Sequence, residues 1–84
     1  MIIRYSGRFN RAYKKLPYEI KTKAEKREQL FRDNPFHAFL NTHKLHGKLK
    51  DQWSFSIDNK YRILFEFDGA DVIFLDVGAH ELYK

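Results

Sequence analysis

The sequence has no cysteine, so no disulfide or thiolate metal site supports the fold, and a reducing compartment is compatible with it. Long apolar runs are missing too. No stretch approaches the roughly 18–20 residues that span a bilayer, and the opening MIIRYSGRF carries arginine and polar residues where a signal peptide needs an apolar segment. These absences lead us to expect a soluble, unprocessed cytoplasmic protein. Acidic residues are in short supply, eleven Asp plus Glu against sixteen Lys plus Arg, for a formal net charge of +5. Such a field concentrates anionic partners, of which nucleic acid and acidic protein segments are the usual ones. Only two prolines and four glycines punctuate the 84 residues, with no linker, repeat or low-complexity segment. A chain this short builds one core, so residues 1–84 read as a single domain.

Aromatic residues are abundant, with eight phenylalanines, five tyrosines and one tryptophan. Each buries a large apolar area, so a small core of rings can suffice without staples. Charge is uneven along the chain. From Arg4 to Arg27 the only acids are Glu19 and Glu25, whereas the segment from Glu66 onward is acidic on balance.

MIIRY reads as a first strand, with Met1, Ile3 and Tyr5 on one side. Ser6 offers a helix N-cap, and Phe9, Tyr13 and Leu16 follow at helical spacing until Pro17, which can end that helix or open the next. From Tyr18 to about Asn34, Ile20, Ala24, Leu30 and Phe31 lie among alternating charges, as in an amphipathic helix, and Asn34-Pro35 stops it. The segment PFHAFLNTHKLHGKLKD has no clean period and reads as a loop with a short helical turn; a connection this long in a small domain is often functional. QWSFSID, YRILFEF and VIFLDV then form a three-stranded meander, with turns at DNK and DGAD. The order β-α-α-β-β-β predicts an α+β fold: an antiparallel sheet with a helical hairpin packed on one face, the other face left open.

Arg62 becomes conspicuous in this frame. Tyr61, Ile63, Phe65 and Phe67 share one side of their strand, so Arg62, Leu64 and Glu66 share the other. If the aromatic side meets the helices, Arg62 points to the open face, where it needs solvent, an anion or an ion pair with Glu66.

The stretch HKLHGKLKDQWSFSIDNKYRILFEF, with its leucine, glycine, Trp-Ser strand and Tyr-Arg-Ile opening, resembles the RelE/ParE superfamily of bacterial toxins from toxin–antitoxin pairs. The ending LDVGAHELYK is similar to that of the RelE, YoeB and YafQ branches, where a glycine-containing turn precedes a histidine and a nearby aromatic. The resemblance spans nearly the whole chain and implies a RelE-like microbial RNase fold. It also implies a ribosome-dependent mRNA endonuclease (mRNA interferase) without a cofactor, neutralised by an acidic antitoxin and acting on mRNA in the ribosome. The ParE branch instead inhibits DNA gyrase by contact, and a degenerate toxin that only binds its antitoxin is a third reading.

Metal-independent RNA cleavage uses the 2′-OH as nucleophile. It needs a group to take that proton, one to protonate the leaving 5′-oxygen, and one to neutralise the phosphorane. Histidine suits the proton transfers and arginine the charge. The resemblance assigns these roles to His80 and His46, and to Arg62; Tyr83 can stack on a base, as the resemblance implies, or pack against the helices as a C-terminal anchor. Lys44, Lys48 and Lys50 suit the RNA backbone. The glutamate that serves as base in the YoeB branch has no match, since Asp51 is the only carboxylate in the loop. His37, His43, His46 and His80 are not spaced as a zinc set and lack cysteine to complete one, so no metal is expected.

Overall fold

The computed structural model of the chain describes residues 1–47 and 51–79. Its first strand, β1 (Ile3–Tyr5), passes into helix α1 (Gly7–Lys14) at Ser6. Ser6 Oγ accepts from the Phe9 N–H at 3.0 Å and donates to the Leu75 carbonyl at 2.9 Å. The cap thus satisfies an orphan helix donor and ties the helix start to the last strand. Pro17 stands at the N-cap of helix α2 (Tyr18–Asp33), its carbonyl accepting from Ile20 and Lys21. That helix stops at Asn34, which is extended ahead of Pro35.

The connection after α2 is more ordered than its lack of period suggests. A 3-10 turn at Ala38–Leu40 is capped by His37 Nδ1, which accepts from Phe39 N–H at 3.1 Å, and it ends at Asn41 in left-handed backbone, φ 47°. A two-residue strand, β2 (His43–Lys44), follows. Then come β3 (Trp53–Ser56), β4 (Arg62–Asp68) and β5 (Asp71–Gly78). The sheet order is β1-β5-β4-β3-β2.

The expected α+β architecture is present, and the β2-β3, β3-β4 and β4-β5 pairs are antiparallel. The first strand departs from that reading. It lies parallel to β5, with Ile3 opposite Val72 and Tyr5 opposite Phe74, making the sheet mixed. Two helices separate β1 from the meander, and such a crossover can deliver the chain to the sheet in either direction.

The helices cover one face. Phe31 of α2 is fully buried against the rings of Phe55, Phe65 and Phe74, at centroid distances of 4.8, 4.9 and 5.5 Å. Phe9, Leu16, Ile20 and Ala24 bring both helices into the same core. A register shift between Leu64 and Phe65 leaves Leu75 without an opposite residue. Strict alternation from Val72 and Phe74 would turn Asp76 inward; the bulge places Val77 in the core instead.

Two turns hold the meander. Asp58 Oδ1 accepts from the Lys60 and Tyr61 N–H groups at 2.8 and 2.7 Å. Burial alone would raise that carboxyl's pKa, but those two bonds and the charges of Lys23 and Lys60 bring it below the ordinary value. Gly69 has φ 62° in the turn between Asp68 and Asp71, the left-handed backbone that a two-residue hairpin demands and glycine supplies.

Candidate functional site: an anchored arginine on the face away from the helices

Alternation along β4 sends Ile63 and Phe65 into the core and Arg62 to the other face. Arg62 does not extend into solvent there. Its Nε donates to Ser54 Oγ at 2.9 Å, and its Nη2 donates to the Asn41 carbonyl at 2.9 Å and lies 3.3 Å from the Ser54 carbonyl. The same Nη2 stands 3.2 Å from His43 Nδ1. Register explains the meeting. His43 is opposite Ser54, and Ser54 is opposite Leu64, two residues from Arg62. The side chains of His43, Ser54 and Arg62 therefore share one face across three strands.

Among the described residues Arg62 is ion-paired with no carboxylate; the pairs present are Arg4–Asp68, Arg8–Asp76 and Arg32–Glu28. The alternative of an Arg62–Glu66 pair is not what the side chain does. Its partners are the Ser54 hydroxyl, two backbone carbonyls and the His43 imidazole, so among the described residues no carboxylate compensates the guanidinium charge, the condition for recruiting a phosphate.

His43 Nδ1 is also 3.2 Å from the Asn41 carbonyl. Nδ1 can accept from Arg62, leaving the proton on Nε2, or donate to Asn41, leaving a lone pair on Nε2. The first form can give a proton and the second can take one. In both, Nε2 is the nitrogen left to face an incoming group.

The other expected site residues fall in different places. His46 is exposed just after β2, where the Leu45 N–H continues the pairing by donating to the Gln52 carbonyl at 2.8 Å. Lys44 is opposite Trp53, whose ring packs with Phe65 and Phe67, so it belongs to the face away from His43 and Arg62. His80, Tyr83, Lys48 and Lys50 lie outside the described residues. No group of three or more His, Cys, Asp or Glu side chains among the described residues could hold a metal ion, and no helix among them is long and apolar enough to cross a membrane.

Sequence reasoning missed His43 as a partner of Arg62. It weighed His43 only for metal, because a two-residue strand inside an aperiodic stretch leaves no local pattern. The signal that could have found it is its place one residue beyond Asn41 and Thr42, where a left-handed Asn ends one element and the next begins.

Away from this cluster, a groove of about 670 Å³ runs between α1 and the ends of β4 and β5, bordered by Arg8, Arg11, Lys15, Tyr61 and Asp76. It is basic on its helix side, but the side chain of Arg62 is turned toward β2 and β3 instead.

No protein-family model matches the chain, and no curated protein matches it in sequence. Solved structures do match in shape. A YoeB/ParE toxin from Agrobacterium tumefaciens superposes with a TM-score of 0.80 at 15% identity, covering 95% of this chain and 99% of that one. YafQ from Escherichia coli gives 0.80 at 20% identity, with 96% and 94% covered. The RelBE2 toxin–antitoxin complex of Mycobacterium tuberculosis gives 0.78 at 21% identity, with 94% and 96% covered.

Proposed function

From a chain that has the fold of RelE/ParE-superfamily toxins, we propose a toxin of a toxin–antitoxin pair that acts in the cytoplasm as an endoribonuclease on ribosome-bound mRNA. The observation that carries this reading is the Arg62 guanidinium, fixed on the face away from the helices beside His43 and paired with no carboxylate among the described residues.

In the proposed reaction the ribose 2′-oxygen attacks the adjacent phosphorus. The O2′–P bond forms and the P–O5′ bond breaks, leaving a 2′,3′-cyclic phosphate and a free 5′-hydroxyl. One side chain removes the 2′ proton and another delivers a proton to O5′, so no oxidant, reductant or cofactor is consumed. His80 and His46 take these proton transfers, with His43 added as a third candidate on geometric grounds, and Arg62 neutralises the phosphorane. Tyr83 stacks on a base. Lys48 and Lys50 hold the RNA backbone, and Lys44, on the other face, fits ribosomal RNA better than the cleaved strand.

The partner that restrains the toxin is an acidic antitoxin, consistent with the net charge of +5 and with the DinJ–YafQ and RelBE2 complexes among the structures of this shape. Primer extension on a reporter mRNA, with and without translating ribosomes, tests the reading. Cuts that appear only with ribosomes and vanish in Arg62→Ala support it, with an expected loss of at least ~100-fold, the usual cost of removing one group that stabilises transition-state charge. Intact mRNA together with inhibited gyrase would replace it with contact inhibition.

A further inference from the structure

The guanidinium of Arg62 is gripped along one edge. Nε is held by Ser54 Oγ, and Nη2 by the Asn41 carbonyl, with the Ser54 carbonyl also in reach. Nη1 has no hydrogen-bond partner among the described residues. The planar fork therefore divides its donors between the protein and whatever meets Nη1. A lysine lacks this division, because its donors all sit on one nitrogen and cannot be gripped along one edge while presenting another.

Both anchors are built features. Ser54 is fully buried in the middle of β3, where an apolar side chain would be the ordinary choice for a strand interior. Asn41 is exposed and contributes to Arg62 through its carbonyl alone. That carbonyl is aimed by left-handed backbone at φ 47° and ψ 46°. This is a conformation that Asn and Gly adopt readily and β-branched residues resist. The same carbonyl lies within hydrogen-bond distance of His43 Nδ1, so one backbone oxygen orients both side chains.

We propose that Ser54 and Asn41 are positioning residues that hold Arg62 by Nε and Nη2 and so present Nη1 to a non-bridging oxygen of the scissile phosphate. This inference rests on the endoribonuclease reading. It assigns Asn41 a role its side chain does not perform, so substitutions there act through φ and not through lost contacts. Ser54 acts through its hydroxyl acceptor.

The test is steady-state mRNA cleavage in a translating extract, with thermal melting of each variant alongside. Ser54→Ala is expected to lower kcat by ~10–100-fold with KM within about twofold, as misplacement of a catalytic group by about 1 Å does. Asn41→Gly, which keeps the left-handed backbone available, should cleave like the wild type, whereas Asn41→Val should fall with Ser54→Ala. Arg62→Lys should be as inactive as Arg62→Ala. If Ser54→Ala fails to melt cooperatively, the exposed Asn41→Gly and Asn41→Val pair decides the matter alone. Wild-type kcat in Asn41→Val, with Arg62→Ala inactive, would overturn the positioning roles and leave the endoribonuclease reading standing. Uncut mRNA with the wild-type protein would overturn that reading and this inference together.

Discussion

The two faces of the sheet are built from the same strands by opposite rules. On the helix side Phe31, Phe55, Phe65 and Phe74 exclude water, and each ring touches several others. On the side away from the helices His43, Ser54 and Arg62 form a chain of polar contacts in which a positive charge is oriented but left without a counter-charge among the described residues. Neighbouring residues of β4 serve both, since Arg62 and Ile63 are consecutive. One face stores stability and the other gives some of it up to hold a charge ready, so substitutions on the two faces should fail in different ways.

The largest expected effect is on the closed face. Phe31→Ala removes the ring at the centre of the core and should cost ~3–5 kcal/mol. That is a large part of the stability of a domain this size, and calorimetry should show a lost or much lowered transition. The comparison breaks if Phe31→Ala melts normally. On the face away from the helices His43→Ala should lower mRNA cleavage by ~10²-fold or more if the imidazole transfers a proton, while the melting temperature stays close to that of the wild type. A cleavage loss explained wholly by unfolding would erase the distinction between the faces.

A smaller effect belongs to the turn that joins β3 to β4. Asp58→Ala removes a carboxylate that accepts two backbone N–H bonds and should cost ~1–3 kcal/mol at neutral pH. The folded carboxyl titrates below its unfolded counterpart, so its contribution is complete above the unfolded pKa of about 3.9. It is lost as pH falls through the lower folded value. Urea titrations should therefore show the gap between wild type and Asp58→Ala narrowing below about pH 4. The smallest effect is at the surface, where Arg4→Ala breaks a 2.7 Å pair with Asp68 whose side chains are both more than half exposed. The loss should be under ~1 kcal/mol and fade with added salt.

Much of the closed face was legible in the sequence because its rules are local. Ser6 caps α1, Pro17 opens α2, the alternation of Phe55 with Ser54 and of Ile63 with Leu64 sorts the strands, and Asp68-Gly69 makes the hairpin. Arg62 was placed on the open face by the same alternation. What escaped depends on contacts distant in sequence. The direction of β1 is set by β5, and the existence of β2 is set by hydrogen bonds to β3. The one-residue bulge opposite Leu64 reverses which of Asp76 and Val77 turns inward, and no repeat in VIFLDV announces it. His43 was hidden for the same reason: its partner is 19 residues away.

The parallel pairing of β1 with β5 also constrains the order of events during synthesis. Ile3 is made well before its partner Val72, so the sheet cannot gain its β1 edge until β5 has left the ribosome. Phe9 and Phe74, whose rings meet at 5.5 Å, lie under the same delay.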